Sequence, residues 1–229
     1  MKIAVITGST RPGRRAPMVA QWVIDVLSRQ PAMLNGGVTL RSVDLATTAL
    51  PMFCEPAPPM TGRYQHEYTH DWSALIADFD AYIFITPEYN HSLPAVLKNA
   101  IDHLYAEWND KAGGIVSYGT AGGVRAGEHL RQVLSEVKVA TVRSHVALSV
   151  FDDFRTEGPM DAGEFVPRAN HEAALRALGE QLLAWGGALR TLRQASQPHQ
   201  RPPSNVPGSR RPHDRSPTER PLPDRLVGG

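Results

Sequence analysis

An α/β fold follows from the way this sequence is punctuated: five strands in one parallel sheet, with helices on both faces. Short apolar runs alternate with helical patterns from Met1 to about Leu192, the alternation that builds β-α-β units. The run AYIFIT is apolar at successive positions rather than at every second one, as a strand covered on both sides should be. The 229 residues suffice for one sizeable core.

The first strand is KIAVIT, a short buried run. PMVAQWVIDVLSRQ then puts Val19, Val23, Val26 and Leu27 on one helical face. VTLRSVDL is the second strand and AYIFIT the third. LPAVLKNAIDHLYAEW reads as one helix with Leu97, Ile101, Leu104 and Trp108 in register, and this helix, with its aromatic end, is a candidate subunit contact surface. GGIVSY is strand four, RAGEHLRQVLSEV the next helix, HVALSV strand five, and a last helix runs from about Asp161 to Leu192. Right-handed crossovers follow. From about Ala195 the chain is rich in Pro, Arg, Ser and Gly and nearly lacks core residues, so it cannot offset the entropy of ordering. The expected organisation is therefore one domain over residues 1–194 and a disordered, solvated Pro/Arg-rich tail over 195–229. There is no internal repeat.

Lys and Arg number 24 against 23 Asp and Glu, so net charge gives no sign of a nucleic-acid partner. Cys54 is the only cysteine. No intrachain disulfide is possible, which fits a reducing cytoplasm. The apolar run in MKIAVITGST is too short for a signal peptide, and no segment approaches bilayer-spanning length. A cytoplasmic protein without a membrane partner is expected.

In an open parallel sheet, ligands bind beyond the carboxyl ends of the strands. After strand one comes Gly8-Ser9-Thr10-Arg11-Pro12-Gly13-Arg14-Arg15. Cations are disfavoured at a helix N-terminus, so Arg11, Arg14 and Arg15 point to a missing anion. The turn is neither a Walker loop nor Gly-x-Gly-x-x-Gly. Hydroxyls, amides and guanidinium groups there suit a terminal phosphate monoester. The first acidic residue is Asp25, so no sequence neighbour neutralises the arginines. The plainer alternative is a polar turn with solvated arginines.

After strand three, Pro87-Glu88-Tyr89-Asn90 offers a stiff loop, an aromatic face and a donor-acceptor edge, a combination suited to a flat heteroatom-rich ring. Ser92 ahead of Pro94 would cap the next helix. After strand four, Ser117-Tyr118-Gly119-Thr120-Ala121-Gly122-Gly123 has three glycines in its last five positions, which let the backbone approach a ligand closely. In a strand order 2-1-3-4-5 these three loops line one crevice.

GSTRPGR, TPEYNHSLPAVLKNAID and SYGTAGG together resemble the NADPH-dependent FMN reductase family, from Met1 to about Leu192. The resemblance implies a flavodoxin-like fold, non-covalently bound FMN, NADPH or NADH as donor, and a homodimer or homotetramer. It implies that Ser9, Arg11 and Arg14, with Arg15 in the same turn, hold the FMN phosphate. Pro87, Glu88, Tyr89 and Asn90 would contact the isoalloxazine ring. Ser117, Tyr118 and Gly119 would face its pyrimidine end and stabilise charge that develops there. Many relatives carry Ser and Asn where this chain has Arg14 and Ala16. No protein catalytic residue is implied, because the chemistry belongs to the flavin. Electrons would pass to a small acceptor such as a flavin or quinone, and Arg125 would favour NADPH.

Two other readings compete. A non-enzymatic flavodoxin-like electron carrier would share the fold, but such carriers present a strongly acidic face and this chain is near neutral. His66-Glu67-Tyr68-Thr69-His70 matches His-Glu-x-x-His, a zinc hydrolase pattern. It lies between a Pro-rich loop and the helical stretch DWSALIADF, without an evident third ligand; the same residues suit a lid in which Tyr64 and Tyr68 pack. Trp72 and Trp108 read as packing or subunit-contact residues, His103 as structural, and Cys54 as an incidental thiol.

Overall fold

The computed structural model describes residues 1–158 and 161–196. The strands of the main sheet are β1 (Lys2–Thr7), β2 (Thr39–Asp44), β3 (Ala81–Pro87), β4 (Lys111–Gly119) and β5 (Val139–Ser149). All pair in parallel, in the order β2-β1-β3-β4-β5. This is the expected flavodoxin-like order. The helices are α1 (Ala16–Ser28), α2 (Pro31–Asn35), α3 (Leu45–Thr48), α4 (Glu67–Ala77), α5 (Ala95–Asp102), α6 (Val124–Glu136) and α7 (Ala169–Ser196).

Successive side chains of a strand face opposite sides, and β1 divides accordingly. Ile3 and Val5 pack with Val19, Val23 and Leu27 of α1 and Leu175, Leu178 and Leu182 of α7. Ala4 and Ile6 pack on the other face with Trp72, Ile76, Leu97, Ile101 and Leu130. β3 is buried at every position.

Three expectations need correction. The helix read from Leu93 to Trp108 ends at Asp102. Its Ile101 carbonyl accepts from the Leu104 amide and from Trp108 Nε1 at 3.1 Å, so side-chain bonding replaces the helical ladder there. Leu104 and Trp108 are buried, and Trp108 meets Tyr82 edge to face with centroids 4.9 Å apart. Leu104 and Trp108 are thus core, and Trp72 and Trp108 are packing residues. The last helix begins at Ala169, not near Asp161. A short antiparallel pair precedes it, β6 (Phe154–Arg155) with β7 (Glu164–Phe165), and Pro167 disfavours helix at the residue before it. The helix then continues through Ala195 to Ser196, so the expected domain boundary at residue 194 falls inside α7. The rest of the expected tail lies outside the described residues. No helix among the described residues is long and apolar enough to cross a membrane.

Candidate functional site

The carboxyl ends of β1, β3 and β4 are brought level by the register, with Thr7 opposite Ile85 and Pro87 opposite Tyr118. The loops beyond them meet around a cavity of about 250 Å³. Arg11 and Arg15 reach it from the loop after β1, Pro87, Glu88 and Tyr89 from the end of β3, and Tyr118, Gly119 and Thr120 from the end of β4. Val150, just past β5, closes the ring. Seven of the expected site residues therefore share one cleft. Ser9, Arg14, Asn90 and Ser117 are not among its lining.

The three arginines have different fates. Arg11 is exposed, and among the described residues its guanidinium has no hydrogen-bond or salt-bridge partner. Arg14 pairs with Asp44 at the end of β2, so the turn has a counter-ion that sequence proximity did not reveal. Burial alone would raise the Asp44 carboxyl; the Ala46 amide, the Thr7 hydroxyl and Arg14 together hold it below the usual carboxylate range. Arg14 Nε is buried without a partner among the described residues. Arg15 donates to Ala162 O at 3.1 Å and to Val150 O at 3.4 Å, and its guanidinium lies 4.7 Å from the centre of the Phe154 ring. It ties the first loop to the chain beyond β5. Helix α1, which opens here, has neither a side-chain cap nor an acid in its first turn.

Ser9 is fully buried, and its hydroxyl lies 3.0 Å from the Tyr89 hydroxyl. Burial raises the Tyr118 hydroxyl, with Tyr89 in support and a bond from Ser9 opposing, so the Ser9, Tyr89 and Tyr118 hydroxyls lie together where the three loops meet. Asn90 and His91 have φ of 49° and 66°, and Tyr89 and Ser92 exchange both backbone hydrogen bonds at 2.9 and 3.0 Å. That is a tight turn of the I′ kind, with Asn90 exposed at its tip. Ser92 does not cap α5: its hydroxyl lies 3.0 Å from His129 Nδ1, and Pro94 occupies the cap position.

Glu88 points across to the third loop. Its carboxylate accepts from Arg125 Nη1 at 2.9 Å and from the Arg125 and Ala126 amides at 3.1 and 3.4 Å. Burial would raise this carboxyl; those three bonds hold it low. It thereby supplies the cap that Gly123 cannot. Arg125 is thus partly committed to Glu88, though still 47% exposed. Gly123 sits at φ 69°, and a Cβ on it would come within 2.8 Å of the Tyr118 backbone, so only glycine fits. Ser117 turns away from the cleft. It donates to Gly122 O at 2.6 Å and lies 2.8 Å from His145 Nε2, fixing the glycine turn from below.

Thr120 and Val150 in the lining, Asp44 behind Arg14 and His145 behind Ser117 were not foreseen. The carboxyl-edge rule, applied to strands two and five as well, would have found Asp44 and Val150. The His66–His70 segment lies elsewhere: helix α4 begins at Glu67, with His66 at its cap position. His66 Nε2 faces Cys54 Sγ at 3.7 Å while His70 Nε2 faces Tyr64 O at 3.1 Å. Among the described residues no group of three or more His, Cys, Asp or Glu is placed to hold a metal ion. Tyr64 bonds Glu107 at 2.9 Å, and neither it nor Tyr68 lines the cleft.

Residues 1–153 match the sequence profile of NADPH-dependent FMN reductases. The chain belongs to that family. An NAD(P)H-dependent FMN reductase of Schizosaccharomyces pombe is 39% identical over 162 residues, covering 70% of this chain and 78% of the relative. A quinone reductase of Pseudomonas putida is 33% identical over 144 residues, 58% and 68% of the two chains. Among solved structures, a flavoenzyme NAD(P)H:(acceptor) oxidoreductase from Paracoccus denitrificans shares the fold with a TM-score of 0.61 at 20% identity, over 82% of this chain and 97% of that one. The family's cofactor fits the residues found. Among the described residues Arg11 is an unpaired cation in the loop that leads into an uncapped helix, and Arg14 Nε in the same loop is a buried donor without an acceptor.

Proposed function

We propose that the cleft holds FMN with its phosphate on the Ser9–Arg15 turn, its ring along Pro87–Asn90 and its pyrimidine end at Tyr118–Gly119, and that this NAD(P)H-dependent oxidoreductase delivers electrons to small quinone-type acceptors. The observation that carries this reading is the convergence of three separate loops on one cleft, with an arginine in its lining that has no partner among the described residues. When bound, FMN supplies the two-electron chemistry, taking hydride from NAD(P)H and passing the electrons on. The chain's own part is to bind, orient and stabilise charge. Arg11 neutralises the phosphate beside the uncapped start of α1, with Arg14 behind it in the same turn. Pro87, Tyr89 and Tyr118 wall the ring site. Gly119 and Thr120 line the ring site at the end of β4, where backbone donors positioned before the reaction stabilise developing negative charge without reorganising. The nearby reductases of FMN and of quinones support the choice of acceptor. A cytoplasmic homodimer or homotetramer, with the residues beyond Ser196 as an appendage, completes the proposal.

The test is flavin retention in arginine variants. One charge-assisted hydrogen bond contributes about 1.5–3 kcal/mol, so Arg11→Ala should weaken FMN affinity roughly 10- to 150-fold, read by fluorescence titration of the apoprotein. Arg15→Ala, whose guanidinium holds Ala162 and Val150, should lower thermal stability more than it lowers affinity. Undiminished FMN affinity in an Arg11→Ala, Arg14→Ala double variant would remove the phosphate assignment.

A further inference from the structure

Besides its core positions Val19, Val23 and Val26, helix α1 carries Met18, Trp22 and Asp25, spaced four and three apart so that they share one face. With Glu164 and Phe165 of β7 and Pro167 beyond it, these residues line a groove of about 420 Å³. The groove and the cleft have no lining residue in common. Trp22 and Phe165 meet edge to face with centroids 5.3 Å apart, and Phe165 rests on the buried Phe154 ring at 5.0 Å. The aromatic floor is therefore fixed before anything docks.

Two features show what this groove lacks. The first is a hydrogen-bond acceptor. An indole set against an apolar surface ordinarily finds one, and the buried Trp72 and Trp108 do so, donating to Ala100 O at 2.8 Å and Ile101 O at 3.1 Å. Trp22 is half-buried, and among the described residues its Nε1–H has no acceptor. The second is a cation. Both charged residues of the lining are carboxylates, Asp25 and Glu164. Asp25 accepts from the neutral amide of Gln21 at 2.9 Å. Glu164 lies 3.5 Å from Arg155, but both side chains are at least 70% exposed, so solvent screens that pair.

We propose that this groove docks a proline-rich segment of a partner protein, held as an extended polyproline II helix with arginine beside its prolines. Such a segment has no internal hydrogen bonds, so its carbonyls are free to accept from Trp22 Nε1. A docked α-helix offers no such acceptor, because its own amides take its carbonyls. Proline rings lie well against an aromatic floor, and the chain is already stiff, so little ordering entropy opposes docking. An arginine beside the prolines meets Asp25 and Glu164. The competing occupant of the groove is a second copy of this chain.

The probe is the synthetic peptide acetyl-Arg-Pro-Leu-Pro-Pro-Leu-Pro-amide, titrated into the full chain by calorimetry. A control peptide carries glutamate in place of the arginine. The expected result is saturable binding of the arginine peptide and weaker binding of the control, a comparison that needs no variant and so does not depend on folding. Trp22→Phe keeps a ring and removes the donor, and should weaken the arginine peptide roughly 2- to 10-fold. The wild-type affinity should fall as salt rises from about 0.05 to 0.3 M, and an Asp25→Asn, Glu164→Gln double variant should lose that dependence. No saturable binding, equal affinity for the two peptides, or undiminished affinity in Trp22→Phe overturns the inference. A Trp22→Ser variant that sediments as a smaller species than the wild type overturns it in favour of a contact with a second copy. None of these readouts involves FMN, so the outcome is independent of the reading of the cleft.

Discussion

His145 shows how a residue outside the cleft governs one of its loops. The Ser117 hydroxyl donates to Gly122 O, so it can only accept from His145, which places the imidazole proton on Nε2. Burial, with Arg131 in support and Glu128 opposing, pushes this imidazole down to about 4. The folded chain keeps it neutral, whereas the unfolded chain protonates it near 6.5. Between those values the unfolded state binds more protons, so stability falls as pH drops from about 6.5 to 4. The loss amounts to on the order of 3 kcal/mol. Urea denaturation across that range should show this component in the wild type and not in His145→Gln; parallel curves for the two proteins would refute it. Little of this was legible beforehand. The turn of arginines was readable because its residues are contiguous, and the fate of each arginine was not. Asp44 lies 30 positions beyond Arg14 and reaches it only because β2 pairs beside β1.

At the scale of elements, runs with strong periodicity announced themselves and the ends did not. Strands β1 and β3 fall within one residue of their expected limits, because a run buried on both faces has no other packing solution. Helix α5 stopped early because side-chain N–H groups, invisible to periodicity, took over its last carbonyls. The C-terminus of α4 follows the same logic. Lys111, at the start of β4, donates to Ile76 O at 3.2 Å and Ala77 O at 3.3 Å, and to the Tyr82 hydroxyl at 2.9 Å. A cation is well placed at a helix C-terminus, yet burial, with Arg193 adding to it, pushes the ammonium down to about 8 against the opposing pull of Asp80, Glu107 and Asp78. Its folded value lies below its unfolded one. The unfolded state therefore holds the extra proton between about pH 8 and 10.5, and stability rises with pH across that window. Relative to Lys111→Met, the wild type should gain on the order of 3 kcal/mol between those limits. Denaturation midpoints of both proteins at pH 7.5, 9 and 10.5 measure it; a constant difference would show that the buried ammonium does not titrate there.

The whole molecule reads as a sheet whose edge positions three loops and whose last helix locks the opposite end. Strand order was legible because alternating elements and right-handed crossovers leave few topologies open, and the crevice at the carboxyl edge followed from that order. What composition alone could not place was the boundary of the folded unit. Helix α7 contributes Leu175, Leu178 and Leu182 to the core, with Leu189 packed against it. Its final turns are then fastened by Arg193, which donates to Asp110 O at 2.6 Å and to Asp80 at 3.0 Å. Both acceptors belong to loops that enter β4 and β3, the strands whose far ends carry Tyr118 and Pro87. A chain ending at Ser196 keeps every one of these contacts and should retain FMN, with a melting temperature within about 2 °C of the full-length protein. A chain ending at Gly187 loses Leu189 and both Arg193 bonds. One apolar side chain and two half-buried charge-assisted bonds together contribute about 3–5 kcal/mol, so its melting temperature should fall by roughly 10 °C or more. If residues beyond Ser196 helped to build the folded unit, the longer truncate would melt early as well, and scanning calorimetry of the three chains distinguishes the two outcomes.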